Sequence, residues 1–402
     1  MPSRPHRSSA ALASPWPLAA CLAVIGSNTF ALSAIAPAIA ALFGIQSPGV
    51  MVAAACQGLA TAVSALLLPQ WIDRLGPFRC LHLAIRVFAL AMLLDASAPS
   101  VPLLAAAHLL AGAAIGVAVP ACYAGALAVA PDGQDSRTIG LALGGWTFSL
   151  VAGVGIATAL ADLVHWRAVY VAIALASAAT ILVLGRANAP VVHACAPSGG
   201  PVEALRIAGL RPLLLACAAA MAAFYGLYSY LGDYLHRGLG EPLMVNGLAT
   251  LMYGVGFGVA TFVDGLVDRV GPSRLGATVF LLGAAMYLAI ALLAVHLWAV
   301  LAGFALLGAV NHLQVNVLVT RMTATDPARK GAILGLNTAI TYVGSTIGTA
   351  TFGPIYSGCG FRVTAAVSAA LMLFAAYFAA RRVDATAPMD RDHFQSRKEN
   401  AR

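Results

Sequence analysis

Long apolar stretches separated by short polar segments run through most of the chain. A helix needs about twenty apolar residues to cross the hydrocarbon core of a bilayer. Stretches of that size predict twelve transmembrane helices, at about 16–40, 51–70, 80–98, 102–129, 139–161, 166–185, 212–235, 246–266, 275–295, 298–320, 332–353 and 362–380. The pattern therefore predicts an all-α membrane protein.

The composition supports this prediction. Of the 402 residues, 60% are hydrophobic and 9% are charged, whereas a soluble domain has roughly 25% charged residues. So much apolar surface requires a bilayer, in which helices satisfy their own backbone hydrogen bonds. The first apolar stretch follows Arg4 and Arg7 and is longer than the apolar region of a signal peptide. We interpret it as a retained first helix.

The basic residues are distributed unevenly between the two sides of the predicted bundle. With a cytoplasmic N-terminus, 19 of the 23 Lys and Arg residues fall in cytoplasmic segments, and Arg167, Arg237 and Arg362 fall outside. Positive charge is concentrated in the cytoplasmic loops of membrane proteins. The sequence therefore predicts that both termini are cytoplasmic. The net charge of +8 forms no single patch, so we expect no nucleic-acid partner.

The seven cysteines have neither metal-site spacing nor the pattern of a disulfide framework. Most lie in or beside apolar stretches, where cysteine behaves as a small hydrophobic residue. We therefore expect no metal and no cofactor.

The longest polar segment between predicted helices, at about 186–211, has the composition of a linker. It contains Pro190, Pro197, Ser198, Gly199, Gly200 and Pro201, and such residues are typical of loops. We predict an N-terminal six-helix half at 1–187, a cytoplasmic linker at 188–211, a C-terminal six-helix half at 212–381 and a cytoplasmic tail at 382–402.

The two predicted halves share motifs at a constant offset of 195 residues. The matched pairs are Asp73-Arg74-Leu75-Gly76 with Asp268-Arg269-Val270-Gly271, Trp166-Arg167 with Phe361-Arg362, and Gly140-Leu141 with Gly335-Leu336. Three matches in one register indicate a tandem repeat of a six-helix unit. Parallel repeats about an axis along the membrane normal are a transporter architecture, with the substrate site between the halves.

The loop after the second predicted helix resembles the signature of the major facilitator superfamily, roughly Gly-x-Leu-Ala-Asp-Arg-x-Gly-Arg-Lys. Here the Asp-Arg-x-Gly core is intact, Pro69 replaces the leading glycine, and the basic tail is displaced to Arg79. Trp166-Arg167 and the stretch from Gly335 to Gly344 resemble the bacterial twelve-helix drug:proton antiporters.

This resemblance implies a secondary transporter of the bacterial inner membrane that moves a small molecule by alternating access and functions as a monomer. It also implies proton-coupled efflux and two pseudo-symmetric halves. It further implies a conformational latch at the repeated loops, with Asp73 facing the eleventh helix; a solvated turn is the alternative. The latch residues are Asp73, Arg74, Gly76, Asp268, Arg269 and Gly271.

Polar residues within the apolar stretches are candidates for a substrate cavity, because burying them in a membrane is costly. Hydrogen bonding between helices is the alternative explanation. The richest group lies in the tenth helix, where His312 and Asn316 share a face. The candidates are Asn28, Tyr225, Tyr228, Asn311, His312, Asn316, Asn337 and Tyr342.

Few groups in the predicted helices could carry a proton. The first helix has no carboxylate, and His108 stands about where the family places an arginine linked to proton transfer. Histidine is the side chain that ordinarily titrates near neutral pH. We expect the carboxylates Asp95, Asp162, Asp233 and Asp264, which lie near helix ends, to be interfacial. The proton-coupling candidates are His108, Asp233 and His312.

The leading functional hypothesis is proton-coupled efflux. Uptake or export of a metabolite or sugar by the same fold is the alternative, and a non-transporting membrane sensor is a further one. No clustered catalytic groups indicate an enzyme, and the chain has no Gly-x-x-x-x-Gly-Lys-[Ser/Thr] motif for ATP-driven transport. The sequence leaves the substrate open.

Overall fold

The computed structural model describes residues 15–131, 135–185, 201–263, 269–326 and 329–381. Eleven helices in these ranges are long and apolar enough to cross a membrane. They are α1 (Trp16–Phe43), α2 (Ser47–Leu67), α3 (Pro77–Ser97), α4 (Val101–Val129), α5 (Asp135–Phe148, a π turn at Ser149–Gly153, then Val154–Leu163), α6 (Trp166–Leu184), α7 (Leu210–Asp233, then a π turn at Tyr234–Gly238), α8 (Met244–Val259, then a 3₁₀ turn at Ala260–Val263), α9 (Pro272–Leu293), α10 (Leu297–Thr325) and α11 (Lys330–Ala380). Two short helices, Pro69–Leu75 and Pro201–Ala204, lie between them.

The last helix accounts for the difference between these eleven helices and the twelve predicted. At 1.5 Å per residue, the 51 residues of α11 would extend about 75 Å, more than twice the thickness of a hydrocarbon core. Its backbone is non-helical at Gly360, with φ 79° and ψ 177°. The limbs on either side, 330–359 and 361–380, contain the two predicted spans. If the two limbs of α11 are counted as separate helices, the eleven helices become the twelve that the sequence predicts.

The described helices pack into two half-bundles, each with its own hydrophobic core. Residues of α1 to α6, such as Phe88 and Tyr170, dominate one core. Residues of α7 to α11, such as Phe280 and Phe304, dominate the other. The all-helical class and the division into two halves are thus confirmed, while the residue boundaries of the halves stay a prediction.

The repeated Asp-Arg-x-Gly motifs adopt the same backbone shape where the structure describes them. Gly76 has φ 80° and Gly271 has φ 92°, a region that side chains strongly disfavour. A proline follows each glycine and starts α3 or α9, because proline is tolerated in the first turn of a helix. The sequence repeat is therefore also a repeat of local structure.

The halves contact each other toward one end of the bundle. We call the end near Trp16 and Ala380 the terminal end and the opposite one the distal end. Toward the distal end, α1 packs on α7, α2 on the first limb of α11, and α5 on α8. Ser33 donates its hydroxyl to the carbonyl oxygen of Tyr228 (2.5 Å), and Asn246 donates to that of Ala34 (2.8 Å).

Residues Ser33 and Tyr228 differ by the repeat offset of 195. Equivalent positions of the two halves therefore meet, which places this α1–α7 contact on the pseudo-two-fold axis between the halves.

Candidate functional site

Aromatic side chains from both halves meet near the middle of the bundle. Phe30 of α1 makes edge-to-face contacts with Trp146 of α5 (centroids 5.8 Å apart) and with Tyr228 of α7 (5.6 Å). It also stacks on Tyr225 at 6.3 Å. We call Phe30, Trp146, Phe224, Tyr225, Tyr228, Tyr253 and Phe257 the aromatic cluster. It lies where a transporter of this architecture places its substrate.

The C-terminal side of the aromatic cluster is tied together by hydroxyl groups. Tyr228 donates to the carbonyl oxygen of Phe30 (3.1 Å), and its hydroxyl lies 3.0 Å from Oγ1 of Thr250. Phe224 stacks on Tyr253 with centroids 4.8 Å apart. Tyr228 is buried, whereas Tyr225 and Trp146 are half-buried. The half-buried rings are therefore the ones that a substrate could contact.

The polar residues of α10 point to different neighbours. Asn311 donates to the hydroxyl of Tyr253 (3.3 Å), and the His312 ring meets Phe257 edge-on at 4.8 Å. Gln314 instead donates to the carbonyl oxygen of Val279 in α9 (3.0 Å). Asn316 is half-buried and accepts a hydrogen bond from Thr320 (3.3 Å). The structure thus places Asn311 and His312 at the aromatic cluster, whereas the side chain of Gln314 points toward α9 within the C-terminal half.

Other cavity candidates have partners in or beside the halves' cores. Asn28 donates to Oε1 of Gln57 (2.8 Å), which links α1 to α2 within the N-terminal half. Asn337 accepts a hydrogen bond from the thiol of Cys217 (3.4 Å). Tyr342 is buried and packs with the core of the N-terminal half, although it belongs to α11. These contacts are of the kind that the alternative explanation, hydrogen bonding and packing between helices, describes.

His108 lies apart from the aromatic cluster. Its Nδ1 is 2.8 Å from Oδ1 of Asp95, and its ring meets Tyr170 edge-on at 5.8 Å. Asp95 is 0% exposed, so the expectation that it is interfacial is wrong. The pair ties α3 to α4 in the N-terminal half. Because burying a charge or a polar group is costly unless it is paired, such a carboxylate needs a partner like His108.

Of the other carboxylates that we expect to be interfacial, Asp162 is exposed, and Asp264 lies outside the described residues.

Asp233 lies at the distal end, also buried. It accepts hydrogen bonds from Ser47 and from Tyr356 (2.7 Å), and Nε of Arg237 is 3.4 Å from its Oδ1. A cavity of about 350 Å³ adjoins it. Asp233 is 7% exposed, so the expectation that it is interfacial rather than buried is wrong, as it is for Asp95.

The latch residues are described in part. Arg74 and Arg269 are exposed, and Gly76 and Gly271 form the turns described above. Asp268 and the side chain of Asp73 lie outside the described residues. The latch therefore stays a prediction.

Several residues of these sites escaped the sequence analysis. Gln57, Ser47 and Tyr356 bond to candidates that were recognised, and Phe30 and Trp146 supply the N-terminal side of the aromatic cluster. Gln57 could have been found from the sequence, because it is an amide side chain inside an apolar stretch, as Asn28 is. No comparable signal marked the aromatic residues, which are common in membrane helices.

These features define a polytopic α-helical membrane protein with two half-bundles and an aromatic cluster between them. Residues 18–349 match the family described as Major Facilitator Superfamily. The chain belongs to this superfamily. Its members are transporters rather than enzymes, so the chain moves a small molecule across a membrane by alternating access.

Curated relatives cover most of the chain. The uncharacterized MFS-type transporter YwfA of Bacillus subtilis (strain 168) is 23% identical over 365 residues, 86% of each chain. A chloramphenicol resistance protein of Streptomyces lividans is 26% identical over 390 residues, which are 92% of this chain and 98% of the relative. The inner membrane transport protein YdhP of Escherichia coli (strain K12) is 25% identical over 373 residues, 89% and 93% of the two chains.

A solved structure has the same fold. It is a bacterial homolog of the human lysosomal transporter Spinster, in an inward-facing and unoccupied conformation. The TM-score is 0.74 at 15% sequence identity, over 91% of this chain and 95% of the other.

Proposed function

We propose that the chain exports a small, uncharged aromatic compound, of the chemical kind to which chloramphenicol belongs, in exchange for protons. The supporting observation is the aromatic cluster, in which Phe30 and Trp146 of one half face Tyr225 and Tyr228 of the other. Stacking on these rings would hold an aromatic substrate. The name of the Streptomyces relative supports the same substrate class.

The charge of the site favours an uncharged substrate. The carboxylates within the apolar stretches, Asp95, Asp162, Asp233 and Asp264, all lie near the ends of the predicted helices. A permanent cation at the aromatic cluster would therefore lack a carboxylate counter-ion at mid-membrane, where charge is expensive. Hydroxyl and amide groups of a neutral substrate would instead pair with groups such as Asn311 and His312.

The transport test uses inverted membrane vesicles that contain the protein. We expect them to accumulate chloramphenicol when energised and to lose this accumulation when an uncoupler dissipates the proton gradient. A lipophilic cation of similar size should accumulate at least tenfold less. Vesicles without the protein are the control. If chloramphenicol still accumulates in the presence of the uncoupler, transport is not coupled to protons. If the cation accumulates more than chloramphenicol, the proposed substrate class is wrong.

His312 is the proton-coupling candidate that lies at the aromatic cluster, whereas His108 and Asp233 lie elsewhere. His312→Gln keeps a hydrogen-bonding side chain but removes the titration. We expect this variant to insert normally while transport loses its pH dependence, because glutamine cannot take up a proton. The exposed His296 between α9 and α10 offers the matched control His296→Gln. An unchanged pH profile in His312→Gln would make His312 a packing residue.

We also propose that the terminal end faces the cytoplasm of a bacterial inner membrane, which makes the described conformation inward-facing. The distribution of Lys and Arg supports this orientation. Cys359, an exposed residue beside Gly360 at the distal end, provides a probe.

The orientation test uses variants that retain only Cys359 or only Cys195, in right-side-out vesicles. A membrane-impermeant maleimide should label Cys359 directly and should label Cys195, in the predicted cytoplasmic linker, only after permeabilisation. The reverse pattern would invert the topology.

A further inference from the structure

One carboxylate at the distal end connects the two halves. Ser47, the first residue of α2, donates its hydroxyl to Oδ1 of Asp233 at the end of α7. Ser47 is fully buried and Asp233 is 7% exposed. Hydrogen bonds to ionised acceptors are stronger than those between neutral groups. The bond therefore contributes to the packing of one half on the other.

The same carboxylate is held in position by its own half. Tyr356 of α11 donates to Oδ2 (2.7 Å), and Nε of Arg237 lies 3.4 Å from Oδ1. The ring of Tyr356 stacks on Tyr230, with centroids 5.1 Å apart. The C-terminal half thus presents a fixed acceptor, and the Ser47 hydroxyl reaches it from the other half.

The cavity beside Asp233 lies on the seam between the halves. Gln46 and Pro48 of the N-terminal half form one side, and Arg237 and Tyr356 line the other. Its volume is about 350 Å³. If α2 moved away from α7, the Ser47–Asp233 bond would break and the cavity would widen along the seam toward the aromatic cluster.

We propose that the Ser47–Asp233 hydrogen bond is a distal clasp that holds the distal end of the transport path shut, and that the adjoining cavity becomes the distal mouth of the path when the clasp opens. Ser47 and Asp233 together stabilise the distal-closed state, so loss of either side chain shifts the equilibrium toward the distal-open state. This role depends on alternating access but not on the substrate, the coupling ion or the direction of transport.

The experiment measures how readily a buried position at the seam becomes accessible. Ser33 of α1 is buried against α7, so Ser33→Cys, in a chain whose native cysteines are replaced by serine, reports distal opening. The probe is a membrane-impermeant maleimide applied from the distal side. We expect Ser47→Ala and Asp233→Ala each to raise the labelling rate about tenfold, which corresponds to a shift of about 1.4 kcal/mol.

The double variant Ser47→Ala, Asp233→Ala should label no faster than the faster single variant, because both changes remove the same interaction. The matched control is Ser229→Ala. Ser229 is also a buried serine near the distal end, and its hydroxyl lies 3.0 Å from Oγ1 of Thr349, within the C-terminal half. This variant should leave the labelling rate unchanged.

Two outcomes would overturn the clasp. If Ser47→Ala leaves the labelling rate of Ser33→Cys unchanged, the hydrogen bond does not hold the distal end shut. An equal increase in Ser229→Ala would show general loosening of the bundle rather than release of a clasp. Either outcome would leave the proposed substrate and proton coupling standing, since the vesicle assay tests those separately.

Discussion

Replacement of Gly232 by valine should reduce transport at least tenfold while the protein still inserts in the membrane. A Cβ at this position would overlap the carbonyl oxygen of Ser33 and lie 3.1 Å from the Cα of Ala34. Both are backbone atoms of α1, so they cannot move away by changing rotamer as a flexible side chain would. Tightly packed interfaces do not absorb such volume. The distal end would then fail to close.

Two further variants make this test specific. Gly232→Ala should cause a smaller loss, because its side chain adds less volume at the same contact. Gly358→Val is the control, since a Cβ at Gly358 has no heavy atom within 4 Å among the described residues. Transport and the amount of folded protein are measured together. Normal transport in Gly232→Val would show that the α1–α7 contact is not part of the transport cycle.

The sequence predicts the helices well because span length depends on local composition. Charged or turn-forming residues end most of the apolar stretches, and Gly360 interrupts α11 between two predicted spans. The repeat was also visible, since Gly76 and Gly271 occupy equivalent turns that require positive φ. These features depend on residues close together in the chain.

Contacts between distant helices were much harder to predict. A helix such as α1 is apolar on nearly every side, so its pattern does not show which face meets α7 or which residue Ser33 will bind. The Ser47–Asp233 bond joins residues 186 apart, and nothing in the local sequence of either indicates the other.

Burial of carboxylates shows the same limit. The position of Asp95 near a helix end predicts that it is interfacial. His108, which lies on another helix but contacts Asp95 in the folded protein, allows its complete burial. Burial depends on the rotation of both helices as well as on depth in the membrane. Sequence pattern alone fixes only the depth.

If the halves separate at the distal end during each transport cycle, a reversible cross-link between them at that end will stop transport. A Cβ at Gly353 of α11 would lie 3.3 Å from the Cβ of Pro48 in α2. Disulfides need Cβ atoms about 3.5–4.5 Å apart, so the pair Pro48→Cys and Gly353→Cys is close enough to form one. A Cβ at Gly353 would also lie 2.9 Å from the Tyr230 hydroxyl, so that side chain must shift to admit the cysteine. The native cysteines are replaced by serine, and each single-cysteine variant serves as a control.

Oxidation should join the halves at the distal end of the double-cysteine variant. We expect transport to fall to the background level on oxidation and to return on reduction, while the single-cysteine controls stay unaffected. Full transport by a protein shown to be completely cross-linked would mean that the distal end does not open during transport.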